Sequence, residues 1–152
     1  MPKGKNQAFV ITILGALLAL AIFTPNPQMH AAFLFTDWQS KFSCHFYHAN
    51  LFHWAANAFA VWLMRPSPRE LLLAYPLAIA SVMLSTTPIV GFSAVLYAYI
   101  GMNIIRWNIS LIDWLMFIVA NLITLFMPNI ATWTHFVAFA LGITYYLIRK
   151  RI

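Results

Sequence analysis

Acidic side chains are what this chain has least of. Asp37, Glu70 and Asp113 are its only carboxylate side chains in 152 residues, and all charged residues together make up 8%. An ordinary soluble domain carries about a quarter. With 62% apolar residues, so few charges cannot cover a water-facing surface, and the composition predicts an integral membrane protein. Cysteine is nearly absent too. The single Cys44 excludes an intrachain disulfide and any multi-cysteine metal site. The net charge of +6 does not point to nucleic acid, because the basic residues stand singly or at the termini, with no run that interleaves them with aromatics.

Six apolar stretches follow one another: Ala8 to Phe23, Phe46 to Met64, Leu71 to Ser85, Gly91 to Arg106, Leu111 to Met127 and Ala131 to Ile148. Each lies near the lower end of the about 17–25 residues that span a bilayer. The front of the chain resembles a signal peptide, but Pro25-Asn26-Pro27 follows in place of a small-residue cleavage site, so an uncleaved first span is expected. Pro76 should kink the third span. The one long connection, Thr24 to about His45, is semi-apolar and is expected in the interface, His30 and His45 with it. Six spans put Lys3, Lys5, Arg65, Arg69, Arg106, Arg149, Lys150 and Arg151 on one side and only Lys41 on the other. That asymmetry predicts an all-α six-helix membrane bundle, residues 1–152 as one domain, both termini cytoplasmic and the chain multi-pass in the inner membrane.

Polar residues interrupt this pattern in three places: His53 with Asn57, Ser93 within Gly91-Phe92-Ser93-Ala94, and His135. In the six-span topology all three groups fall in one layer near the outer face. Asn57 and Tyr97 stand four residues after His53 and Ser93, on the same helix faces. Interhelical glue is the plain alternative for each residue taken singly. Such bonds average only about 0.6 kcal/mol, however, whereas an unpaired polar group in hydrocarbon costs several kcal/mol. A wet cavity that uses a hydroxyl, an imidazole and neutral donors explains the gathering better, because these are the parts of a nucleophile, a base and an oxyanion site.

In the order and spacing of these motifs the chain resembles the rhomboid intramembrane serine proteases. The resemblance rests on His48, His53 and Asn57 in the second span, on Gly91-Phe92-Ser93-Ala94 running into Tyr97-Ala98-Tyr99-Ile100-Gly101 in the fourth, and on His135, Ala138 and Gly142 in the sixth. It implies Ser93 as nucleophile and His135 as general base, a dyad without a carboxylate. It also implies His53, Asn57 and the Ser93 backbone N–H as oxyanion donors, and Tyr97 stacked on His135. Ala138 and Gly142 would let the sixth span approach the fourth, and His48 would bond loop backbone. The implied activity is endoproteolysis of the transmembrane segments of other membrane proteins near their outer end, in contact with the lipid bilayer and with no cofactor or metal. The departures are Ala94 and Ala138 where glycine is common, and Trp38-Gln39 where many members have Trp-Arg, so no role is carried over for the first loop. The rival readings are a rhomboid-like pseudoprotease that binds without cutting and a small cytochrome with His53 and His135 as axial haem ligands.

Overall fold

The computed structural model describes residues 3–106, 115, 118 and 131–151. Polar residues at the edges of the apolar runs decide where the helices begin. Asp37 accepts the Ser40 N–H and so starts α2, Trp38–Ser43. Asn50 does the same for His53 at the head of α3, Leu51–Met64, ending the apolar run that starts at Phe46 as a 3-10 turn and a loop. Ser67 and Glu70 form a reciprocal capping box with Pro68 at the first position, which starts α4, Pro68–Met83, three residues ahead of its apolar run. The remaining described helices are α1, Lys3–Phe23, α5, Ser93–Asn103, and α6, Thr132–Arg151. Pro76 sits inside α4 on its exposed side, and the helix runs through it. The fifth expected stretch, Leu111 to Met127, lies outside the described residues apart from Leu115 and Ile118.

The core is built around α5, which packs against both α4 and α6, while α1 lies along α3. Val61, Leu71, Ala74, Ala78, Val95 and Met102 belong to one continuous apolar cluster. Large apolar side chains also remain outside it, among them Phe52, Phe59 and Leu72. At the crossing of α5 and α6 the backbones touch. A methyl added at Gly142 would meet the Ala98 carbonyl oxygen, the Met102 nitrogen at 2.9 Å and the Gly101 Cα at 3.0 Å. Ala98 and Ala138 are wholly buried in the same seam. Small residues at this spacing are what a close helix approach requires.

The helical class agrees with the sequence; the six-span bundle does not. Among the described residues no helix is long and apolar enough to cross a membrane. At a rise of 1.5 Å per residue, α3, α4 and α5, with 14, 16 and 11 residues, extend only about 21, 24 and 17 Å. A hydrocarbon core is about 30 Å thick. The longer α6 spends its first turn on Thr132, Thr134 and His135 and its last on Arg149, Lys150 and Arg151. The expected membrane-spanning architecture, the cytoplasmic placement of the termini and the multi-pass inner-membrane location are therefore corrected. The second apolar run, Phe46 to Met64, is not one helix: a 3-10 turn, a loop and the Asn50 cap divide it.

The first loop also differs from expectation. It folds back onto the segment that leads into α5 through the paired backbone bonds Ala32 N–H to Ile89 O and Ile89 N–H to Ala32 O, at 2.8 and 2.9 Å. Leu34 N–H adds a bond to the Ser85 carbonyl at 2.8 Å. Lys41, the one basic residue expected apart from the others, is buried, with its ammonium donating to the Thr36 carbonyl and lying over the Trp38 ring. His45 is fully buried against the edge of Tyr75 instead of lying at an interface.

Candidate active site

Ser93 is the first residue of α5, so its backbone N–H is among those that have no acceptor within the helix. The chain reaches this position through Gly91, whose φ of +127° is open to glycine and strained for any other residue. Gly91 N–H donates to the Cys44 carbonyl at 2.9 Å, which ties the turn to the first loop. A side chain at Gly91 would also run into the His53 ring. The turn is thus held on one side by backbone from residues 32–44 and on the other by an imidazole from α3.

Across the glycine seam, α6 delivers His135. Its Nε2 lies 2.8 Å from Ser93 Oγ. For the hydroxyl to donate, Nε2 must be the bare nitrogen and Nδ1 must carry the proton. Among the described residues Nδ1 has no hydrogen-bond partner. Tyr97, one turn along α5 from Ser93, stacks on the ring with centroids 4.5 Å apart and planes 5° from parallel. That stack fixes the ring plane where a carboxylate would otherwise do so. His135 is 8% exposed, and burial, aided by the charge of nearby His53, pulls its pKa down from the ordinary histidine value to about 4. The imidazole is then neutral and able to accept a proton at physiological pH.

Neither described carboxylate is available to this pair. Asp37 is committed to Ser40, through its N–H and its hydroxyl, both at 2.8 Å, and these bonds hold its pKa below the usual value. Glu70 is committed to the Ser67 N–H and hydroxyl at 2.9 and 2.6 Å. Asp113 lies outside the described residues.

The remaining candidates come from α3 and the loop before it. His53 and Asn57 share a helix face with wholly buried Val61. Asn57 is 6% exposed, and among the described residues its side-chain NH2 has no acceptor. His48 is buried edge-on to His53, ring centroids 5.3 Å apart. Among the described residues neither of its ring nitrogens makes a hydrogen bond of ordinary geometry, although the Phe46 backbone lies near enough to favour the cation. The loop backbone at Phe46 is thus the nearest polar partner of His48, beside its packing against His53. Burial, then the charge of His53, lowers the His48 pKa to about 4. The haem reading would require the contact between His135 Nε2 and Ser93 to break.

Sequence reasoning missed two contributors. The Cys44 carbonyl positions the Gly91 turn, but a backbone acceptor leaves no mark in residue type. Gly101 stands in the α5 motif, yet its packing role shows only in space: an added methyl there would strike the Phe139 carbonyl. No protein-family model, curated protein or solved structure matches the chain.

Proposed function

We propose that this chain is a serine endopeptidase of the rhomboid type, with Ser93 as nucleophile and His135 as general base. The observation that carries the reading is the 2.8 Å contact between Ser93 Oγ and a buried His135 ring stacked on Tyr97. As Oγ attacks a scissile carbonyl, Nε2 takes its proton and later gives it to the leaving amine. The oxyanion falls to the Ser93 N–H at the head of α5, with the Asn57 amide and the His53 ring as further donors. Water then hydrolyses the acyl-enzyme.

The substrate is an apolar segment of another protein, of the kind that forms transmembrane helices. Such a segment must unwind locally to present its backbone to Ser93, and the resemblance implies a small residue at the cut. A pseudoprotease would have no need of a neutral imidazole within hydrogen-bonding distance of a helix-terminal serine. The test is labelling with a fluorophosphonate probe beside cleavage of a reporter carrying an apolar helical segment. Wild type labels and cleaves; Ser93→Ala and His135→Ala do neither. Cleavage by Ser93→Ala at the wild-type rate refutes the reading.

A further inference from the structure

A cavity of about 330 Å3 opens at the far end of α5 from Ser93, where α4 begins and α5 and α6 end. Ten residues separate Ser93 from Asn103, which lines the cavity, so about 15 Å of helix lies between the two places. The catalytic reading makes no use of this cavity.

Three arginines line it, one from each element: Arg69 from the first turn of α4, Arg106 just past α5 and Arg149 from the last turn of α6. Helix dipoles account for part of this, because cations are favoured at the C-terminal ends where Arg106 and Arg149 stand. They do not account for Arg69, a cation at a helix N-terminus, where the dipole repels it. The only described carboxylate in the wall, Glu70, already accepts from the Ser67 N–H and hydroxyl. Among the described residues no ion pair occupies the three guanidiniums. Tyr145 and Tyr146 line the same space and add hydroxyl donors. The volume lies within the range of small-ligand sites.

Among the described residues the cavity is lined by three exposed guanidiniums and one carboxylate, Glu70, which leaves an excess of two positive charges that favours an anion. From this we infer that the cavity is a binding site for a phosphate group, held by Arg69, Arg106 and Arg149. Guanidinium matches phosphate oxygens in paired hydrogen bonds. A phosphate bound there would tie together the ends of the three helices whose packing sets the Ser93–His135 contact.

The source of the phosphate is either a free phosphate compound or a phospholipid headgroup, and two arms of one experiment separate them. Thermal unfolding of the purified full chain is followed against inorganic phosphate at constant ionic strength, and against short-chain phosphatidylglycerol with short-chain phosphatidylcholine as control. A saturable rise in Tm with inorganic phosphate identifies a site for the free group. A rise with phosphatidylglycerol alone, exceeding that with phosphatidylcholine, identifies a headgroup site. In either case Arg106→Gln and Arg149→Gln should each weaken binding by about tenfold or more. Arg65→Gln removes an equal charge outside the cavity, beside Trp62, and should leave binding unchanged. Fluorophosphonate labelling of Ser93 persists in all three variants, which shows that they fold. No saturable rise with either ligand, or an equal loss in Arg65→Gln, overturns the assignment.

Discussion

Gly142→Ala is the smallest change that separates the two halves of the proposed dyad without touching either. The new methyl would stand 2.9 Å from the Met102 nitrogen and 3.0 Å from the Gly101 Cα, with the Ala98 carbonyl oxygen closer still. Ordinary contact begins at 3.4 Å, and every obstructing atom is backbone, so no side chain can turn aside. The helices must part by at least about half an ångström. His135 stands seven residues before Gly142 on the same stiff helix and shares much of that displacement. Its bond to Ser93, 2.8 Å at rest, then stretches beyond good geometry. A misplacement of about 1 Å can cost about a hundredfold in rate, so probe labelling should slow between roughly tenfold and a hundredfold. Overpacking should also cost about 1–3 kcal/mol, lowering Tm by several degrees in a chain of this size. Gly15→Ala is the control: nothing lies within 4 Å of the added methyl, so labelling should be unchanged. Labelling of Gly142→Ala within twofold of wild type would refute the argument that the glycine seam sets the contact.

Three further outcomes follow from the same geometry. Tyr97→Leu removes the stack on His135, worth about 0.5–1.5 kcal/mol, and should slow labelling roughly two- to tenfold. Burial, the leading cause for all three, puts His45, His48 and His135 at about 4 in the folded chain, against 6.5 for the free side chain. Between those values the unfolded chain binds the additional protons, so stability is full above about pH 6.5 and is lost as pH falls toward 4, measurable as a falling Tm. Desolvation pushes the buried Cys44 thiol up to about 12, so iodoacetamide at mildly alkaline pH should modify it only on unfolding; rapid modification of the native chain would contradict its placement.

What the sequence made legible was a set of side chains with a shared place to go. Ser93, Tyr97 and His135 are unusual residues in an apolar context. It was the resemblance of their motifs to the rhomboid pattern that implied their meeting, since the six-span layering that put them at one depth did not hold. The structure sets them in contact because Gly101, Ala98, Ala138 and Gly142 let two helices touch, and small residues at that spacing are also readable. The lengths of the helices were not readable from apolar runs. The run from Phe46 to Met64 looks continuous, but the Asn50 cap divides it, and only a bond to the His53 N–H reveals the division. The burial of His45 and the docking of the first loop were hidden for a related reason: they depend on the main-chain pairing of Ala32 with Ile89 and of Cys44 with Gly91, which any residue type can supply.

The two proposed reacting groups are 42 residues apart, and the turn that presents Ser93 is fastened to backbone contributed near residues 32 and 44. During synthesis the nucleophile therefore emerges well before its base, and every nascent chain that ends short of residue 135 carries an inert alcohol. On the proposed reading, competence to cut arrives only when α6 docks, so chains that lack it would pose no hazard to their neighbours.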